Sequence, residues 1–339
     1  MLFPLAQHWN ESRFERKSLK SLGLKYQLGH SSMYCSNPVP CHADLLILHT
    51  NGFHSVAIQF CNCSAAVPQH IQLLRRQLYP ASQIVVKTCA TFSLLRQLHK
   101  LALATKASTY DFYRALERLT TNTGIGCPKS RYRALFRMVL QWRHLKMLKW
   151  GGRGHDETGA AGTKPGELAV LCPSCPRPGV NLPEGWEDAP EGMRYACPLW
   201  SLNRSRLTEY RFLYMMIICM DANFRLKNNL VSNYSQDPGL GTGWAYMLER
   251  KPYENYVLSR TNDEDVCLFS LTARLQTDRY IQISTCVGFQ ALSKANTKNS
   301  KGQRYTGVGA TVCGRSEMIM PLGVGNLHKG ERYSAHSSM

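Results

Sequence analysis

The chain has 339 residues, 44% of them hydrophobic, with a formal charge of +18 and a pI near 9.5. That length allows two domains or more, and that composition excludes a disordered or a membrane-spanning chain. The excess of 41 Lys and Arg over 23 Asp and Glu points to an acidic partner, nucleic acid before a membrane surface.

The opening MLFPLAQHWNESRFERKSLK has no basic region before an apolar segment and no small-residue cleavage site, so no secretory signal is expected. The thirteen cysteines therefore read as free core thiols and metal ligands, rather than disulfides. Residues 24–63 read as strands. In HADLLILHTNGFHSVAIQFCNC, Asn51-Gly52 splits two apolar runs as a hairpin turn does. Val56, Ile58 and Phe60 share one face of the second run, which leaves Cys61 and Cys63 on the other. VPQHIQLLRRQLYP (67–80) reads as a short helix stopped by Pro80.

Residues 89–150 are expected to be mostly helical. STYDFYRALERL opens with a capping box, Ser108 with Asp111. The next helix starts after Pro128 and ends at Gly151-Gly152, with Leu135, Val139, Trp142 and Leu145 as its apolar stripe. From Pro128 to Arg153 there are eight Lys and Arg and no acid. Arg131, Arg133, Arg137, Arg143, Lys146 and Lys149 are the candidate DNA contacts; a solvated basic face is the plainer alternative. GGRGHDETGAAGTKPG (151–166) has a linker's composition. Beyond it come an expected strand at 212–220, a turn-rich DPGLGTGWAYM (237–247), a strand YTGVGATVC (305–313) and GVGNLHKGERY (323–333). The glycine runs GLGTG and GVGNLHKGER lack the strand–loop–helix setting of a phosphate loop and read as turns.

Two cysteine groups have metal-ligand chemistry. His30, Cys35, Cys61 and Cys63 would make a tetrahedral structural zinc site, with Cys41, His42, His49 and His54 as rival ligands and a thiol-bearing β core as the plain alternative. CPSCP supplies Cys172 and Cys175 as a zinc-knuckle pair without an evident second pair. A third feature is FLYMMIICMDANFRLKNN (212–229), where nine apolar residues run into Asp221. A carboxylate at the end of a buried strand must be hydrogen-bonded, ion-paired or metal-bound. RNase H-type nucleases and recombinases present a Mg²⁺ ligand in this way, and Asn223 lies on the same side to orient it. An Asx-turn at a strand end is the local alternative.

Several phrases are shared with one family: YDFYRALERLTTNTG, RYRALFRMVLQWRHLKMLKWGGRGHD, KPGELAVLCPSCPRPGVNLPEGW, MDANFRLKNN, DPGLGTGWAYM, STCVGFQAL and GVGNLHKGERY. Over nearly its whole length the chain resembles the fungal KDZ (Kyakuja–Dileera–Zisupton) transposases, and its first 105 or so residues resemble the associated CxC2 cysteine-cluster domain, with FCNC as the C-x-C. The resemblance implies an α+β chain in three parts. Residues 1–105 would be a small β-rich, zinc-like cysteine-cluster domain, 106–170 a basic helical region with a Gly-rich linker, and 171–339 a partial RNase H-like α/β core. It implies Mg²⁺-dependent DNA cleavage and strand transfer with Asp221 as the first catalytic carboxylate, structural Zn²⁺, DNA as partner with self-association allowed, no membrane, and a nuclear location.

Departures from the family pattern accompany the resemblance. Ser316 in CGRSEM stands where the family often has the His of a C-x-x-H element. The chain ends at KGERYSAHSSM, where the family continues toward its later carboxylates, so the fragment is expected to be inactive. Two seventeen-residue stretches, 195–211 and 266–282, fit nothing around them and have the length of a translated short intron; Cys197 and Cys267 within them are expected to have no role. The alternative function is a non-enzymatic zinc- and DNA-binding module derived from a transposon.

Overall fold

The computed structural model describes residues 7–30, 34–121, 128–177, 179–181, 184, 188, 216–230, 240–260 and 302–327. The stretches 195–211 and 266–282 lie outside them. The fold is mixed α+β, with small sheets and, among the described residues, five α-helices. It divides into two compact units, Met1–Lys146 and Met147–Met339.

The first unit opens with a hairpin of β1 (Gln7–Trp9) and β2 (Phe14–Arg16). β3 (Lys25–Gln27), β4 (Pro38–Pro40) and β7 (Ala57–Cys61) form a three-stranded sheet with β7 in the centre. β5 (Leu46–His49), β6 (Gly52–Ser55), β8 (Leu78–Pro80) and β9 (Thr88–Thr91) form a second sheet in the order β6-β5-β9-β8, in which β5 and β9 run parallel. The expected hairpin is present, with His49 opposite Gly52. The expected helix at 67–80 is shorter, α1 (Gln69–Arg75), because Leu78–Pro80 pairs with β9.

The run LLILH is apolar at successive positions because its strand is buried on both faces. Leu45 and Ile47 join one core with Val56, Ile58, Phe60 and Leu73. Leu46 and Leu48 join the other, with residues of α2 (Phe92–Thr105), α3 (Thr109–Thr120) and α4 (Tyr132–Trp150). Two helix starts have a local cause. The Thr91 hydroxyl accepts from the Leu94 amide at 3.2 Å, and the Ser108 hydroxyl accepts from the Asp111 amide at 3.1 Å while donating to the Asp111 carboxylate at 2.6 Å, one half of the expected capping box. The Tyr113 hydroxyl, from a side chain 1% exposed, accepts from the Arg131 amide at 2.7 Å and ties α3 to the head of α4. Because the helices after residue 105 share a core with the sheet, the chain divides at 146/147 rather than at 105.

In the second unit the glycine-rich stretch 151–166 is a folded loop, not an open linker. It wraps Arg153, 7% exposed, whose guanidinium meets Asp156 at 3.0 Å and Glu167 at 2.9 Å and donates to the Gly159 carbonyl and the Thr158 hydroxyl. β10 (Ile218–Asn223), β13 (Gly307–Cys313) and β14 (Ile319–Leu327) form an antiparallel sheet with β13 in the middle. β11 (Asn228–Asn229) and β12 (Gln303–Tyr305) extend the β10–β13 pairing, and the Leu230 amide closes on the Gly302 carbonyl at 2.9 Å. The pair is therefore one long hairpin with residues 231–301 emitted at its tip, among them α5 (Arg250–Arg260). Residues 245–248 lie along β14, joined by the parallel bridge Met247↔Val324. GVGNL, expected as a turn, is part of β14. A Cβ at Gly323 would sit 2.9 Å from the carbonyls of Met320 and Thr311, so the strands close only over glycine. The described part of GLGTG, residues 240–243, is a turn as expected, with positive φ at Gly241 and Gly243.

Candidate functional site

His30 follows β3, Cys35 precedes β4, Cys61 ends β7, and Cys63 lies two residues on. The central strand thus delivers two thiols and its neighbours one ligand each. All four ligand atoms lie within 4.8 Å of one another. His30 Nδ1 is 3.4 Å from Cys61 Sγ, and the Sγ atoms of Cys35 and Cys63 are 3.7 Å apart. A zinc tetrahedron has sulfur–sulfur edges of about 3.7 Å and nitrogen–sulfur edges of about 3.5 Å. The donor set and its spacing fit Zn²⁺.

The rival ligands are engaged elsewhere. Cys41 packs on the core with its thiol toward the Val86 carbonyl. His42 accepts from the Asp44 amide, His49 bonds the Thr91 hydroxyl, and His54 bonds Asn51. The Ser36 hydroxyl, 3.3 Å from Cys63 Sγ, leads the hydrogen bonds that pull the Cys63 thiol down to about 6, which favours the thiolate that a metal needs. Gln72, on α1, holds the end of β7. Its amide accepts from the Cys61 N–H at 3.0 Å and donates to the Cys61 carbonyl at 2.8 Å and to Val67 at 2.7 Å. Gly29 makes room for it, since a Cβ there would meet Gln72 Oε1 at 2.2 Å. Gln72 carries no sequence signal for this task; Gly29, next to a ligand histidine, is the one available hint.

Cys172 and Cys175 do acquire a partner: Cys313 at the end of β13. All three are buried, their sulfurs lie within 4.8 Å of one another, and the Ser316 hydroxyl is 3.0 Å from Cys172 Sγ. Burial pushes the Cys175 thiol up to about 12. Burial would also raise Cys313, but hydrogen bonds from Ser316 and from the Arg315 and Ser316 backbone outweigh it and bring that thiol to about 6. The nine described cysteines are all free thiols.

The basic helix is α4. Leu135, Met138 and Val139 are buried, and Trp142 packs on Phe92 with ring centroids 5.0 Å apart, so most of the expected stripe faces the core; Leu145 is 47% exposed and does not. Arg133, Arg137, Arg143 and Lys149 are exposed, and Arg131 and Lys146 are half-buried. Lys146 lies over the Trp142 ring at 5.8 Å. At the head of α4, Arg131, Arg133, Arg137, Ser130 and Lys87 line an open cavity of about 490 Å³ with no acidic residue in its wall. Lys87 comes from the segment before β9, too far away in sequence to be read with the helix. Arg153 closes the basic run in sequence, and its guanidinium is taken up by Asp156 and Glu167.

Asp221 lies on a strand, as expected, but in its middle and exposed, opposite Ala310. β10 is an edge strand, and Ile218 and Met220 beside Asp221 are 50% and 53% exposed. The greasy run is therefore not a buried central strand among the described residues. Asp221 Oδ1 accepts from the Ala222 amide at 2.7 Å, and Asn223 turns its oxygen to the Arg225 amide rather than to Asp221. No group of three ligands among the described residues includes Asp221.

Two family models match this chain. One, described as a CxC2 like cysteine cluster associated with KDZ transposases, matches residues 19–124; the other, described as Kyakuja-Dileera-Zisupton transposase, matches residues 214–338. Together they support a transposase of the KDZ family. The first match covers the His30, Cys35, Cys61 and Cys63 centre, and the second covers Asp221 and Cys313. Helix α4 and the Cys172/Cys175 pair lie between the two. No curated protein and no solved structure gives a significant match.

Proposed function

We propose that this polypeptide is the zinc-stapled, DNA-gripping part of a KDZ-type transposase acting in the nucleus. Its first unit holds duplex phosphates on α4, and its second carries Asp221 as one ligand of a Mg²⁺-dependent cleavage and strand-transfer site. The observation that carries the reading is the cation-lined cavity at the head of α4. Four positive residues, Lys87, Arg131, Arg133 and Arg137, and four that carry hydroxyls, Ser82, Thr88, Ser130 and Tyr132, line it without an acid, a wall suited to a phosphate. The antiparallel order β10-β13-β14 with Asp221 on its first strand supports an RNase H-like core.

When bound, Mg²⁺ would activate the attacking water or 3′-hydroxyl and steady the leaving oxygen. Among the described residues Asp221 belongs to no group of three metal ligands, and one carboxylate cannot hold two ions, so these residues are expected not to cut DNA by themselves. That lack of ligand partners among the described residues favours the second reading, a zinc- and DNA-binding module without catalysis.

The test is duplex DNA affinity measured by anisotropy across a salt series. Binding should weaken steeply with salt, and Arg133→Ala with Arg137→Ala should lower the log–log slope by about 2. Asp221→Ala should leave affinity unchanged. A slope indifferent to both arginines would refute the phosphate site. Mg²⁺-dependent nicking that is lost in Asp221→Ala would refute inactivity.

A further inference from the structure

The first unit holds two clusters of eleven and twelve buried side chains. The cluster among the described residues of the second unit has three members, all cysteines: Cys172, Cys175 and Cys313, with Met216, Met318 and Met320 against them. Free thiols can fill a core as small apolar groups, and such cysteines normally pack among aliphatic side chains. Here sulfur faces sulfur, and among the described residues the hydrophobic side chains packed against it are methionines. We infer that Cys172, Cys175 and Cys313 form a second metal centre, a Zn²⁺ site of three thiolates whose fourth position lies beside Ser316.

Both halves of the site are turns shaped to aim two ligands inward. In the first, the Cys175 amide approaches the Cys172 carbonyl at 3.4 Å, and Asn181 Nδ2 donates to the carbonyls of Cys175 at 2.9 Å and Pro173 at 3.4 Å while its oxygen accepts from the Arg177 amide. In the second, Cys313 and Ser316 occupy the β13–β14 turn. The Glu317 amide donates to the Cys313 carbonyl at 2.9 Å, and the Cys313 amide donates to the Met318 carbonyl at 2.8 Å. Glu317 has a φ of 56°, a left-handed conformation that is uncommon for a residue with a side chain and lets the turn close tightly. Two ligand positions three residues apart on each of two facing turns is the layout of a zinc knuckle. Three positions are thiols. The fourth offers an oxygen, 3.0 Å from Cys172 Sγ.

The ion would have structural work to do. Cys172 and Cys313 are 141 residues apart in sequence. A bond through metal closes that loop in a unit whose thiol cluster is small, which is how weak cores are stapled. The serine makes this site weaker than a four-thiolate one, because a neutral hydroxyl is a poor zinc donor.

The full chain, purified under reductant, is assayed for zinc by elemental analysis and native mass spectrometry. Two ions per chain are expected. Cys313→Ser or Cys175→Ser should remove one and leave the other, and Cys61→Ser with Cys63→Ser should remove the opposite one. The two centres are thereby scored separately, whatever the fate of the first. Because a cysteine variant could fail to fold, Ser316→His is the second arm. It should keep the stoichiometry and slow zinc loss to a chromophoric chelator by about tenfold or more. Co²⁺ should give sulfur-to-metal charge-transfer absorption that Cys313→Ser diminishes. A zinc count unchanged in Cys313→Ser, or chelator kinetics unchanged in Ser316→His, would overturn the assignment.

Discussion

Gln72 is 1% exposed and commits its whole amide to the backbone of Cys61 and Val67. Gln72→Ala strands a buried donor and acceptor at the end of β7, and is expected to cost about 2–4 kcal/mol and to weaken zinc at the first centre by about 10–100-fold. Denaturant titration and chelator competition measure the two effects, and retained affinity would show that the strand end needs no clamp. His99 on α2 gives a second test. Burial first, then Arg143 and Lys146, lowers its pKa from 6.5, and its Nδ1 has no hydrogen-bond partner among the described residues. The folded state therefore binds this proton less readily than the unfolded chain does. The stability tied to neutral His99 is complete above pH 6.5 and is lost as pH falls toward the lower folded value. DNA phosphates that neutralise Arg143 and Lys146 should raise the His99 pKa, which an NMR titration with and without duplex reads directly. The four ligands of the first centre were legible as residue types because thiols and imidazoles are chemically specific. Gln72 was not, because an amide becomes a clamp only through its surroundings.

Among elements, α4 was the most legible. Its ends, its basic face and most of its apolar stripe follow from composition and period. Leu145 departs because the core ends near Trp142, and Lys87 was hidden because sheet pairing, not sequence proximity, brings it to the helix. The loop 151–166 has a linker's composition, yet its glycines permit a tight wrap whose reason is Arg153. Arg153→Ala leaves two acids facing a vacated pocket. Since those acids are partly exposed, the expected cost is about 2–4 kcal/mol. Salt-dependent DNA binding should keep its slope in that variant, unlike Arg133→Ala with Arg137→Ala. A slope changed by Arg153→Ala would place this residue on the DNA face after all.

For the whole molecule, the first unit's two cores on opposite faces of one sheet explain why the cysteine cluster and the helices fold together. The unbroken apolar run in LLILH announces a strand buried on both sides, yet does not reveal which later helices supply the second cover. The expected buried strand before Asp221 failed for a related reason. Hydrophobicity reports a preference for burial, and among the described strands the ladder places Ile218–Met220 on an edge. No described helix is long and apolar enough to cross a membrane.

The long hairpin has a genetic corollary. Its register is written in local pairs from Ile218↔Cys313 to Asn223↔Val308, and the closure at Leu230 and Gly302 lies beyond them. Residues 240–260 are held against this sheet, through the Met247↔Val324 bridge and the Tyr253 hydroxyl on the Asn326 carbonyl, so no described pairing depends on the length of 261–301. A chain lacking 266–282 is expected to keep its thermal transition and its metal count, and a lowered transition would show that this text belongs to the fold.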